Sequence, residues 1–267
     1  MARRPAALPI LFVYVAARLF WVIADRPWPI LDLPFVEGLL KFLIWVVPSL
    51  LIVMAMDRLS LHNTWRSLGL GSHPASGLAF GLLATIPMVF AAPFGPIHPI
   101  AAGALIGSVM LGPFAEEVLF RGFLYTQLVR RAGWRVPTAI AISAVVFAVA
   151  HLGDIDMEIA GRLLRFGLGL EETMLPNTLV RIGAGILMLA PGGALFAWIL
   201  HRSGSLWPAI GLHAFLNLWW MVAHGEESRV GLSLDVSGIA QVASIALALA
   251  LTVRRPGTRK ELVIDNR

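Results

Sequence analysis

Eight apolar stretches leave this chain little choice but to become a bundle of helices in lipid. They lie at about residues 8–24, 38–56, 77–92, 100–129, 136–152, 179–200, 206–224 and 236–253. Each comes near the ~17–25 residues that carry a helix across a hydrocarbon core, with the third short and the fourth long. Lipid offers the backbone no hydrogen-bond partners, so a helix, which satisfies its own amides, is the form expected of every stretch. Composition agrees. The 267 residues are 58% hydrophobic and 14% charged, with a mean hydropathy of +0.78, where a soluble domain carries about a quarter charged residues. The expected fold is all-α: one polytopic membrane domain over residues 1–267, with about eight transmembrane helices.

Charge placement predicts how the bundle sits. The net charge of +5 comes almost wholly from arginine, since Lys41 and Lys260 are the only lysines. Arg3, Arg4, Arg58, Arg66, Arg130, Arg131, Arg135, Arg202, Arg254, Arg255, Arg259, Lys260 and Arg267 all fall on one side of the eight-span scheme. Asp25, Asp32, Glu37, Asp154, Asp156, Glu158, Glu171, Glu172, Glu226, Glu227 and Asp235 fall on the other. The positive-inside rule then puts both termini in the cytoplasm, which an even number of crossings requires. The basic balance is read as topology, and no nucleic-acid partner is expected. The first stretch follows Arg3-Arg4 but has no small-x-small cleavage site before Asp25, so it is expected to remain as a helix. The Arg- and Ala-rich composition points to a bacterial inner or plasma membrane.

The fourth stretch is too long for one straight span, and Gly112-Pro113 interrupts it. A break there would start a new helix at about Pro113 and set Glu116 and Glu117 near its N-terminus, where free N–H groups favour negative charge. The segment 154–177, Gly-rich with mixed charge, reads as an outer loop carrying an interfacial amphipathic helix.

Two adjacent carboxylates inside such a chain are costly and ask for a chemical reason. Glu117 and Arg121 are four apart and share a helix face, in the favoured acid-before-base order. Glu116 lies about 100° round the helix. The expected division gives Glu117 and Arg121 an anchoring ion pair and leaves Glu116 free for a reactant. Phe147 with His151, and His213 with Asn217, repeat the four-residue spacing on two later stretches. Peptide hydrolysis in a dry interior needs a base to activate water and donors for the oxyanion. Glu116 with His151 can supply the first, and His213 with Asn217 the second. Taken singly, His213 and Asn217 could equally be an interhelical hydrogen-bonding pair, and Phe147 ordinary packing.

The elements Glu116-Glu117-x-x-x-Arg121, Phe147-x-x-x-His151 and His213-x-x-x-Asn217 resemble those of the CAAX-protease and bacteriocin-processing (CPBP, or Abi) family of intramembrane glutamate proteases. The flanks Leu119-Phe120-Arg121-Gly122-Phe123-Leu124 and Gly204-Ser205-Leu206-Trp207-Pro208-Ala209-Ile210 fit as well. The likeness covers residues 113–217, the core motif region. It implies an eight-helix endopeptidase in which Glu116 and His151 activate water, His213 and Asn217 stabilise the oxyanion, and Glu117 and Arg121 support the site. A peptide or membrane-protein substrate and the lipid bilayer are the partners implied, and no cofactor. The length of the 154–177 loop departs from the family pattern and leaves the substrate class open.

Other chemistries remain open at this level. Glu116, His151 and His213 could form a zinc site with a water in the fourth position, although the chain has no His-Glu-x-x-His motif. The absence of cysteine rules out disulfides and a thiol nucleophile. No Gly-x-Ser-Gly element supports a serine protease, and the aspartates all fall in loops. Buried Glu and His also suit a proton-coupled transporter, and an immunity-type or scaffolding membrane protein could keep the constellation for structure alone.

Overall fold

The computed structural model describes residues 7–24, 33–151, 177–225 and 236–254, and what it describes is helical. In chain order the helices are α1 (Ala7–Ala24), α2 (Pro34–Asp57), α3 (Leu61–Ser67), α4 (Pro74–Ala84), α5 (Ile86–Phe94), α6 (Ala102–Arg130), α7 (Val136–Ala150), α8 (Asn177–Ser203), α9 (Trp207–His224) and α10 (Val236–Arg254). Every apolar stretch of the sequence therefore became a helix. By length and composition alone, four of these could each span a membrane, or five if the bent pair α4–α5 counts as one span. The chain is an integral membrane protein. The expected interfacial helix at 154–177 lies outside the described residues, apart from Asn177 at the start of α8.

The expected break at Gly112-Pro113 is not there. α6 runs through it as a single 29-residue helix. A widened π stretch, Leu105–Leu111, ends just before Gly112, and a second covers Val118–Tyr125. Proline removes a helical donor and crowds the preceding turn. Within a membrane, a local π adjustment can re-satisfy the freed backbone without breaking the rod. The real bend, of 45°, falls between α4 and α5. Pro87 opens α5 there, and buried Thr85 donates its hydroxyl back to the Gly81 carbonyl at 3.0 Å. Proline and a back-bonding Thr together account for the kink.

α6 is the axis of the bundle, buried without interruption from Ala115 to Leu128. Around it, α7 packs along α8 and α4 along α9. Glycine makes the second contact possible. A Cβ on Gly211 of α9 would collide with the Gly77 carbonyl of α4, and one on Gly77 would collide with the Trp207 backbone. α2 meets α6 in the same way, with Gly38 against Gly107. Close backbone approach of this kind is how helices associate where lipid is as apolar as leucine. At one end of the bundle Arg131 pairs with Asp57, and Arg130 Nη1 donates to the Ser67 carbonyl at 3.0 Å. Those contacts fix the ends of α2, α3 and α6 together.

Gly211 precedes His213 by two residues, so the glycine contact also sets the position of a candidate site residue. Gly211→Ala is expected to destabilise the protein by about 1–3 kcal/mol, the usual cost of overpacking a rigid contact. Thermal unfolding in detergent measures this, and peptide cleavage should fall with it.

Candidate active site

Glu116 is the midpoint of α6, fourteen residues from Ala102 and fourteen from Arg130. At helical rise it lies on the order of 20 Å from either end of that helix. The local structure explains how it is held. Oε1 of Glu116 accepts from Lys41 Nζ of α2 at 3.1 Å. Oε2 faces two imidazoles, His151 Nε2 at 3.4 Å and His213 Nε2 at 3.7 Å. The acid expected to be left free is thus paired: nothing about the helix itself foretold a lysine arriving from α2.

His151 is the C-cap residue of α7. Its Nδ1 lies 2.8 Å from the Phe147 carbonyl, which can only accept, so Nδ1 carries the proton and Nε2 turns to Glu116. His213 is oriented by the same logic. Its Nδ1 donates to Glu117 Oε1 at 2.9 Å, and its ring stacks on Phe196 of α8 with centroids 5.0 Å apart. Both histidines therefore aim Nε2 at one carboxylate oxygen.

Glu117 is the hub of the supporting layer. The same Oε1 accepts from Arg121 Nη1 at 3.1 Å, which is the anchoring pair expected from the spacing. Neither side chain has any exposure, whereas Glu116, His151 and His213 each keep a little. Arg121 sits among phenyl rings, its guanidinium carbon 4.2 Å from the centre of Phe147 and 5.2 Å from that of Phe196. These ring faces replace part of the hydration the cation has lost. Phe147, which packing alone would explain in sequence, both covers Arg121 and supplies the carbonyl that fixes His151.

Asn217 follows His213 by one helical turn, and its Nδ2 donates to the Ser108 carbonyl of α6 at 3.2 Å. A primary amide has two N–H donors, and this contact uses one of them. The structure thus brings Glu116, Glu117, Arg121, His151 and His213 into one connected cluster, with Asn217 tied beside it to α6. It adds two side chains that sequence reasoning missed, Lys41 and Phe196, and the backbone carbonyl of Ser108. Lys41 carried a signal, being a lysine inside an apolar stretch.

Among the described residues no three His, Asp or Glu side chains are grouped to hold a metal ion. The Lys41 ammonium lies against Oε1 of Glu116, the carboxylate that both histidines face through Oε2.

Residues 98–219 match the model of a family described as Type II CAAX prenyl endopeptidase Rce1-like. The chain carries an Rce1-like peptidase domain. That domain begins ahead of α6 and ends within α9, so it contains Glu116, Glu117, Arg121, His151, His213 and Asn217, while Lys41 lies outside it. No curated protein and no solved structure matches the chain. The Rce1-like match and the resemblance read from the three motifs agree on one peptidase family and on the same stretch of chain.

Proposed function

We propose that the protein is an intramembrane endopeptidase that hydrolyses a peptide bond with water activated by Glu116 and His151, with the oxyanion held by His213 and Asn217. The observation that carries this reading is the convergence of two imidazole Nε2 atoms, 3.4 and 3.7 Å away, on a single oxygen of a mid-helix carboxylate.

The chemistry follows from that layout. A water between Glu116 Oε2 and His151 gives a proton to the carboxylate as its oxygen bonds to the substrate carbonyl carbon. The carbonyl π pair moves onto oxygen, and the oxyanion accepts hydrogen bonds from Asn217 Nδ2 and from the Nε2–H of His213, an imidazolium that keeps both of its protons throughout the step. Glu117, on Nδ1 of His213, compensates the charge of that imidazolium. As the C–N bond breaks, the proton taken from water passes to the leaving nitrogen, and an acid and an amine result. No other reactant is needed.

The eight apolar stretches of the sequence and the arginine-rich segments between them support an eight-span protein with both termini in the cytoplasm. The substrate is then a peptide or membrane protein that reaches mid-membrane depth. The test uses purified protein in proteoliposomes with a pool of lipid-anchored, internally quenched peptides, some ending in the prenylated segment that the family description names. Hydrolysis with 18O incorporated from labelled water into the new carboxyl is the expected result. Proton flux dependent on Glu116 without any cleavage would sink the reading. Asn217→Ala is expected to lower kcat by about a hundredfold, the usual cost of losing one oxyanion donor, with the protein still folded.

A further inference from the structure

We propose that Lys41 is a positioning residue for this peptidase, a cation delivered from outside the Rce1-like domain to fix which oxygen of Glu116 meets the reactants. The inference rests on the assignment of Glu116 as the base.

The two oxygens of Glu116 have different neighbours. Lys41 Nζ takes Oε1, and both histidines face Oε2. A carboxylate without the first contact could turn about its terminal torsion, a broad and soft rotation, and offer either oxygen or neither. Lys41 removes that freedom. It also balances charge: the adjacent acids Glu116 and Glu117 each have one cation, Lys41 for the first and Arg121 for the second. The histidines can then exchange protons with water without an unpaired carboxylate beside them.

Lys41 is itself held in place. Its side chain is 12% exposed and its ammonium also meets Glu37, one turn earlier on α2, at 3.1 Å. The same nitrogen lies 5.3 Å from the ring centre of Phe20 and 5.7 Å from that of Trp45. Trp45 is fixed in turn, donating Nε1 to the Ala16 carbonyl of α1 at 3.1 Å. The Gly38–Gly107 contact brings α2 close enough for a lysine three residues further on to reach α6. An ammonium is a compact charge on a flexible stem and suits contact with one oxygen. Glu37 is far more exposed than Glu116, so the lysine links the buried acid to the outer part of α2.

The test measures cleavage of the lipid-anchored reporter by full-length Lys41→Met, Lys41→Arg and Lys41→Ala in proteoliposomes, beside Glu116→Gln. Lys41→Met is expected to lower kcat about a hundredfold with KM nearly unchanged, the scale of a catalytic group displaced by about 1 Å. Lys41→Arg should recover much of the loss, and added ethylammonium should partly restore Lys41→Ala. Wild-type kcat in Lys41→Met would overturn the proposal. So would a loss confined to KM, or a loss with lowered melting temperature that neither arginine nor ethylammonium repairs. If Glu116→Gln is inert while Lys41→Met is normal, only the role of Lys41 falls. If Glu116→Gln still cleaves, the base assignment falls and takes this inference with it.

Discussion

Glu116→Gln is expected to reduce cleavage of the reporter by about a thousandfold while the protein still folds and inserts. The substitution keeps the shape of the side chain and removes its capacity to take a proton. General-base groups typically contribute 10²–10⁴-fold, which sets the scale. The fold should survive because the contacts of Glu116 are ones an amide can keep: its oxygen can accept from Lys41, and its NH₂ can face the two imidazole nitrogens on the other side. Lys41 also retains Glu37 as a partner, so no cation is stranded. Kinetics and thermal unfolding on the same preparation make the measurement. A variant that cleaves at the wild-type rate would move the base elsewhere. One that fails to insert would make Glu116 a structural acid.

Helix positions were largely legible in the chain because lipid leaves one solution for an apolar stretch, and stretches 8–24 through 236–253 map onto α1, α2 and α4 to α10 with shifts of a few residues, while the short polar α3 falls in none of them. The kink was misplaced for a physical reason. Gly112-Pro113 has the composition of a break, yet the π stretch before it absorbs the missing donor; Thr85 and Pro87 look weaker in sequence and bend the chain by 45°. The pair Glu117–Arg121 was readable because both residues ride one helix and four residues bring them together. Contacts between helices were not readable. That His213 would spend Nδ1 on Glu117, that Asn217 would reach Ser108, and that Lys41 would cross from α2 to Glu116 beside the Gly38–Gly107 approach all depend on how separate helices pack, which spacing along a single helix cannot encode.

The supporting layer makes the second large prediction, and it separates stability from catalysis. Arg121→Met leaves the Glu117 carboxylate buried with its guanidinium gone, and breaking a buried pair in this way costs about 3–5 kcal/mol. The thermal midpoint in detergent should fall markedly, and cleavage with it. Replacing both partners, Glu117→Leu with Arg121→Met, removes the stranded charge and fills the space with apolar atoms, a change that is often near neutral for stability. Most of the lost stability should return. Cleavage should not, because His213 would then have no acceptor for Nδ1, and its ring would lose the contact that turns Nε2 toward Glu116. Phe196 still stacks on that ring, but stacking fixes a plane and not which nitrogen faces the reactant. A double variant that regains both stability and cleavage would reduce Glu117 to a counter-ion for Arg121 and leave His213 to be oriented by packing alone.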